Sequence, residues 1–144
     1  MRYLSDKEKK HIIREWEITK IRSPHTGDNC PPGRGGIDAE IVFHCDEINA
    51  IPGVCTLQSC AGHINKDGSI TNGGLWLKLT ENMMMLFHEY AYELYTHKGI
   101  YDSITIRLQD YGDELVDICF YPQRLGEAMK YLKLLLLQLA GQNN

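Results

Sequence analysis

Two pairs of β-patterned segments, each followed by a segment with helical periodicity, constrain the fold of this chain most strongly. In the first pair, Val54 to Gln58 is rich in β-formers, and in Leu75 to Leu79 the leucines alternate with Trp76 and Lys78. In the second pair, Ile104 to Leu108 and Val116 to Phe120 alternate in the same way on either side of a turn. Short alternating runs bounded by turn residues are typical of antiparallel strands with one buried face. The pattern therefore predicts two strand pairs within one sheet.

Four other segments repeat apolar residues at the spacing of an amphipathic helix. Their expected caps or first residues are Ser5, Asp38, Thr80 or Asn82, and Leu125. The order α-α-β-β-α-β-β-α favours an α+β fold, in which helices pack on a mainly antiparallel four-stranded sheet. We expect residues 1–144 to form one domain, with a peripheral helix over 1–19 and a surface loop over 23–36, which is rich in proline and glycine.

Charge, apolar run length and cysteine usage exclude several classes of function. A formal net charge of -4 lacks the cations needed to neutralise many phosphates, which disfavours tRNA and other nucleic acids as partners. No apolar run approaches the roughly 20 residues that span a bilayer, so no membrane partner is expected. The 5 cysteines are spread through regular segments, which is typical of reduced thiols rather than a disulfide scaffold. We therefore expect a soluble, cytoplasmic protein.

Small and polar residues follow the first predicted strand, in the run Ser59-Cys60-Ala61-Gly62-His63. We interpret this run as a tight turn at the end of the strand, where functional residues often lie. Glycine there would let a ligand approach backbone N–H groups, and Ser59 and His63 could hydrogen-bond it. This chemistry suits a carboxylate, a phosphate or the edge of a nucleobase.

Six short sequence features follow one another between residues 20 and 79. They are Ile21-Arg22-Ser23-Pro24, Gly35-Gly36-Ile37-Asp38, Ile48-Asn49, Thr56, Ser59-Cys60-Ala61-Gly62-His63-Ile64 and Gly73-Gly74-Leu75-Trp76. The series resembles the wybutosine-synthesising tRNA methyltransferase family, whose members carry a Ser-Pro-Lys-Gly element, a Ser-Cys-Ser-Gly-Arg-Ile turn and a Gly-Gly-x-Trp strand. The resemblance implies S-adenosylmethionine as a cofactor and a modified guanosine of tRNA as the methyl acceptor.

The chain departs from that family pattern at four places. Ala61 stands for the family's second serine, His63 for its arginine and Arg34 for its lysine, and the segment from His25 to Gly33 interrupts the first element. Unperturbed histidine is mostly neutral near pH 7, so an anion site at His63 is expected to be weaker and more pH-dependent than one built on arginine. The chain also stops where family members usually continue, so the resemblance does not assure a complete S-adenosylmethionine site.

The residues expected to bind a ligand come from the long loop, the predicted turn and the tryptophan strand. They are Arg22, Ser23, His25, Arg34, Asp38, Thr56, Ser59, Cys60, Gly62, His63, Gly73, Gly74 and Trp76. Trp76 alternates out of phase with its leucine neighbours, so it should face away from them and either stack on a planar ligand or cover a second core. Arg34 is expected to pair with negative charge on the ligand, and the helix-capping role of Asp38 accounts for that residue by itself.

Metal and nucleophilic chemistry are the other interpretations of the central motif. Cys60 and His63 have the spacing of a two-ligand clip. A tetrahedral zinc site would need further ligands, for which the candidates are His25, Cys30, His44, Cys45 and Cys55. No paired Cys-x-x-Cys accompanies the clip, so the sequence favours no metal, and Cys60 is expected to be a small packing thiol rather than a nucleophile. No catalytic residue is assigned.

Three functions follow from these observations. The first is a protein that binds or sequesters a nucleotide-like ligand in a pocket formed by Ser59 to His63, Gly73 to Trp76 and the Arg34 loop. The second is a methyltransferase that uses S-adenosylmethionine and acts on a tRNA base. The third is a protein-interaction module, including a homo-oligomer, which exposed apolar surface on the last helix would favour.

Overall fold

A computed structural model of the protein describes residues 2–22, 24–25, 37–96, 99–109 and 112–142. Within this part of the chain the helices are α1 (Asp6–Arg22), α2 (Ala39–Asn49), α3 (Glu81–Tyr95) and α4 (Leu125–Gln142), with a short 3-10 helix before α4 (Pro122–Arg124). The strands are β1 (Pro24–His25), β2 (Ile37–Asp38), β3 (Val54–Cys60), β4 (His63–Ile64), β5 (Ile70–Thr71), β6 (Gly73–Leu79), β7 (Tyr101–Leu108) and β8 (Glu114–Phe120). None of the described helices is both long and apolar enough to cross a membrane.

The main sheet has the order β3-β6-β8-β7, and every neighbouring pair in it is antiparallel. This arrangement confirms the predicted α+β fold, including the pairing of β3 with β6 and the β7-β8 hairpin. Two short pairs add to it, a parallel β1-β2 pair and an antiparallel β4-β5 hairpin. The sequence pattern predicted neither pair, and Pro24–His25 lies within the predicted 23–36 loop, most of which falls outside the described residues.

One face of the main sheet carries the core beneath α2, α3 and α4. The β6 side chains Leu75, Leu77 and Leu79 are fully buried there, in one apolar cluster with residues of the three helices. Helix α3 begins as predicted at Thr80, whose Oγ1 accepts a hydrogen bond from the backbone N–H of Met83 at 3.3 Å. This face supplies most of the apolar burial that stabilises the fold.

The second face of the sheet is covered at one end by α1. Lys78 alternates onto this face, and its Nζ lies 2.9 Å from Glu8 Oε1 on α1 and 3.2 Å from Asp113 Oδ1. Trp16 of α1 is 9% exposed and belongs to the apolar cluster. The helix expected over 1–19 as a peripheral element therefore contributes to the core. The other end of this face, toward the start of β6, lies beyond α1.

The register of β3 on β6 shifts by one residue, because Thr56 pairs with Leu77 whereas Gln58 pairs with Trp76. A β-bulge of this kind reverses the alternation of side chains along the rest of the strand. Thr56 consequently faces the helices, while Gln58 and Cys60 face the opposite side. The bulge decides which residues of the central motif reach the second face.

The tight turn predicted over Ser59 to Gly62 is wrong at its first two residues. Ser59 and Cys60 continue β3, where they pair with β6, and the chain leaves the sheet only at Ala61. Gly62 then adopts a left-handed φ of 82°, which glycine reaches without steric cost. The main-chain pairing available on β6 extends the strand beyond the point at which its β-formers end.

Candidate functional site

A slot of about 350 Å³ opens on the second face of the main sheet, beyond the end covered by α1. All four strands of the sheet contribute to it. Its principal lining residues are Gln58, Cys60, Gly74, Trp76, Arg107, Asp117 and Cys119. We call it the open-face slot.

The floor of the slot is Gly74, which precedes Trp76 by two residues on β6. Residues two apart on a strand face the same side and lie roughly 7 Å from each other. A Cβ added at Gly74 would find its nearest neighbour, the backbone oxygen of Ile118, at 3.8 Å, so the position has free space above it. A planar ring stacked on the indole would need a separation of about 3.5 Å within this space.

Two thiols form the side walls. Cys60 on β3 and Cys119 on β8 both pair in register with Gly74, so they flank it on the same face of the sheet. Both are half-buried, and neither forms a disulfide. Because a strand separates them, their Cα atoms lie about 10 Å apart, beyond the roughly 7 Å limit for a disulfide. The thiols therefore bound the slot as separate, weakly polar groups.

The end wall is the indole of Trp76 with an ion pair beside it. The Arg107 guanidinium lies over the indole, with Cζ 4.7 Å from the ring centroid, and its Nη2 is 3.2 Å from Asp117 Oδ2. Arg107 pairs with Leu115, which in turn pairs with Lys78. Along β6, Lys78 follows Trp76 by two residues, whereas Gly74 precedes Trp76 by two. The Arg107 side chain therefore starts on the other side of Trp76 from Gly74 and reaches over the ring, where it lines the slot together with Asp117.

Sequence reasoning missed Arg107, Asp117 and Cys119, which belong to the second predicted hairpin. Each was recognised only as an alternating residue of a strand. Their alternation put them out of phase with the buried residues of β7 and β8, which was the available signal. Placing them beside Trp76 also requires the pairing of β6 with β8, which single-strand periodicity does not provide.

Gly62 and His63 lie next to residues that line the slot. His63 does not line it, but its Nε2 lies 4.0 Å from Cys60 Sγ, and its Nδ1 is buried without a hydrogen-bond partner in the described part of the chain. A Cβ at Gly62 would come within 2.6 Å of the backbone nitrogen of Gly73. These residues hold the chain against the start of β6 and position Cys60.

Thr56 and Ser59 turn toward α2. The backbone N–H and the hydroxyl of Thr56 both donate to Asn49 Oδ1, at 2.8 and 3.2 Å. Burial raises the pKa of the Cys45 thiol to about 11, and a hydrogen bond with Ser59 offsets part of that effect. Ser59 borders the slot, yet its hydroxyl serves the packing of α2 on β3. Both hydroxyls, expected to contact a ligand, therefore hold the fold together.

The remaining predicted residues divide between packing and parts of the chain without described side chains. Gly73 is buried, and a side chain there would collide with the ring of Phe120. The predictions for the loop and the start of the second helix fall outside the residues whose side chains the structure describes, namely Arg22, Ser23, His25, Arg34 and Asp38. The expected closure of the Arg34 loop over a ligand stays a prediction.

Metal binding has no site in the described residues. No group of three or more His, Cys, Asp or Glu side chains in them is arranged to hold an ion. Cys60 and His63 do lie together, but His44, Cys45 and Cys55 form no three-ligand group with them, and the other expected zinc ligands, His25 and Cys30, have no described side chains.

No family model, curated protein or solved structure matches the chain. The resemblance to the wybutosine-synthesising family therefore remains a prediction, and the slot itself is the basis for a functional assignment.

Proposed function

We propose that the protein binds or sequesters a small, nucleotide-like ligand whose planar ring enters the open-face slot. The single observation that carries the proposal is the vacant side-chain position at Gly74 next to the indole of Trp76. A floor without a side chain beside an aromatic wall is the arrangement that stacking requires. The proposal assigns no catalytic group.

The size and charge of the slot support a small ligand rather than a polymer. Its volume of about 350 Å³ lies at the lower end of the range for small-molecule pockets, which begins near 300 Å³. The formal net charge of -4 also favours a free ligand over a whole tRNA, whose backbone attracts cationic proteins.

Intrinsic fluorescence and calorimetry test this proposal. In a Trp16→Phe background, Trp76 is the only tryptophan, so its emission should change when a stacking ligand binds. The ligands would be nucleosides, nucleotides, cyclic nucleotides and S-adenosylmethionine. We expect saturable binding of at least one, with affinity reduced about tenfold or more by Gly74→Val, which fills the floor. Gly126→Val, at an exposed glycine of α4, is the matched control.

Two results would overturn the proposal. One is the absence of saturable binding across the whole panel. The other is binding that Gly74→Val leaves unchanged, because a ligand in the slot must occupy the space that the valine fills.

We propose self-association as a second function, carried by the outer surface of α4. Leu134 and Leu137 are each 54% exposed, although the opposite side of α4 is buried in the core. A helix that is apolar on two sides normally has both covered. Tyr92 and Tyr95 on α3, which packs against α4, are also exposed.

The spacing of the exposed α4 residues favours a second copy of this chain as the partner. Lys130, Leu134, Leu137 and Gly141 are all exposed and recur at intervals of four, three and four residues, as on a helix–helix seam. A symmetric dimer would place the same seam on both subunits. Light scattering should give a dimer for the wild type and a monomer for Leu134→Lys with Leu137→Lys. A wild-type protein that stays monomeric at high concentration would exclude the idea.

A further inference from the structure

We infer that the ring entering the open-face slot carries an exocyclic amino group and that Asp117 accepts its hydrogen bond. This inference rests on the proposed ligand-binding function and names the class of ligand that the same slot selects.

The charges around the slot cancel. Among its described lining residues, the ionised side chains are Arg107 and Asp117, which pair with each other at 3.2 Å. A phosphate or carboxylate entering the slot would therefore meet no uncompensated cation there and would approach a carboxylate. The part of the ligand inside the slot is best matched by an uncharged ring, with any phosphate outside.

Asp117 is the polar group best placed to read the edge of that ring. It lies directly opposite Trp76 on the neighbouring strand, so the two Cα atoms are about 5 Å apart. Gln58 lies opposite Trp76 on the other side, on β3. A ring stacked on the indole above Gly74 would point one edge toward β8, where Cys119 lies opposite Gly74 and Asp117 lies opposite Trp76.

The protonation chemistry of Asp117 decides what it recognises. An ionised carboxylate accepts hydrogen bonds and donates none. Its Oδ2 faces Arg107, and the described residues give Asp117 no other hydrogen-bond or ion-pair partner, so Oδ1 can accept from a ligand. The side chain is only 16% exposed, which limits competition from water. A ring carbonyl at that point would place its oxygen, an acceptor, next to Oδ1, which is also an acceptor. An amino group would donate a hydrogen bond to Oδ1.

Arg107 is a positioning residue in this arrangement. Its guanidinium is anchored on the indole at 4.7 Å and holds one oxygen of Asp117. The carboxylate is thus oriented before a ligand arrives, which lowers the ordering cost of binding.

Matched nucleoside pairs test the inference by calorimetry. Adenosine and inosine differ by an amino group in place of a carbonyl, and so do cytidine and uridine. We expect the wild type to bind the amino-bearing nucleoside of each pair about tenfold or more tightly than the carbonyl-bearing one. The carbonyl-bearing nucleoside would leave the carboxylate oxygen of Asp117 without a donor. In Asp117→Asn the preference should fall to within about threefold, since the amide presents both a donor and an acceptor.

The same variant makes a second prediction about phosphate. Removing the carboxylate leaves Arg107 unpaired, so Asp117→Asn should strengthen binding of a nucleoside monophosphate relative to its nucleoside. Asp102→Asn, which removes an exposed carboxylate of the same strand pair outside the slot lining, is the control for net charge. It should leave both ratios unchanged.

The outcomes separate this inference from the function on which it rests. Failure of every ring to bind overturns the proposed function. Binding without preference between paired nucleosides overturns the amino assignment alone and leaves stacking on Trp76 intact. A preference that survives in Asp117→Asn shows that another group reads the ring, and it overturns the role of Asp117. The wild-type preference is measurable even if Asp117→Asn does not fold.

Discussion

The two faces of the main sheet use the same strand for different purposes. Along β6, Leu75, Leu77 and Leu79 point into the core, whereas Gly74 and Trp76, on the opposite face, border a slot. The first set is defined by complete burial, and the second by an empty position beside an aromatic ring. Because side chains alternate strictly, substitutions on one face can alter stability while neighbours on the other alter binding.

The largest effect on stability is expected from the helix-covered face. Leu77→Ala removes a fully buried side chain and should lower the free energy of unfolding by about 2–5 kcal/mol. Trp76→Ala, one residue away, removes a half-buried ring and should cost less stability but abolish ligand binding. Urea denaturation and calorimetry measure the two effects. Equal losses of stability would mean that the indole is also a core residue.

The adjacent glycines give the sharpest form of the comparison. Gly73→Ala would force a Cβ against the Phe120 ring and the backbone oxygen of Ala61, at 2.9 Å, and should destabilise the fold by about 1–3 kcal/mol. Gly74→Ala has room and should change stability by less than about 1 kcal/mol, while it narrows the slot and weakens binding. Thermal unfolding of both variants beside a binding titration checks this. Destabilisation by Gly74→Ala would show that the slot is not empty.

The separation of faces shows which features the sequence could predict. The alternation in Leu75 to Leu79 predicted that Trp76 faces away from the leucines, and the structure places it there. The pattern around Thr80 predicted the start of α3 in the same local way. These features depend on neighbours within a few residues, which a single sequence displays.

The bulge in β3 depends on long-range pairing and was not predictable in this way. Thr56, Ser59 and Cys60 carry no local signal for an extra residue at position 57, because the register is set by β6. The shift directs two expected ligand hydroxyls into the packing of α2 and gives the slot a thiol instead. Arg107 and Asp117 were missed for the same physical reason, since only the assembled sheet brings them beside Trp76.

A smaller effect concerns the start of β8, where the backbone N–H of Glu114 donates to the carbonyl of Arg2, ahead of α1. Burial raises the pKa of Glu114, but hydrogen bonds from His88, Arg2 and Tyr3 outweigh it, so the pKa in the folded protein lies below its usual value. A lowered pKa contributes stability above the unfolded-state pKa, and this contribution is lost as the pH falls through the folded pKa. We expect Glu114→Gln to reduce stability by about 1 kcal/mol at pH 6 and by progressively less toward pH 3. Urea midpoints across this range measure it, and a difference that grows with acidity would contradict it.

The least perturbing test compares two cysteines that share the second face. Cys55 pairs with Lys78 under α1, and burial raises its pKa to about 12, whereas Cys60 is half-buried at the wall of the slot. Since the thiolate is the reactive form, iodoacetamide at pH 8 should label Cys60 about tenfold or more faster than Cys55 in the folded protein. A ligand that stacks on Trp76 above Gly74 should slow the labelling of Cys60 and leave Cys55 unaffected, because only the former borders the bound ring. Mass spectrometry of the labelled peptides measures both rates without any substitution. If the ligand slowed the labelling of both thiols, it would be tightening the whole fold and not occupying the slot.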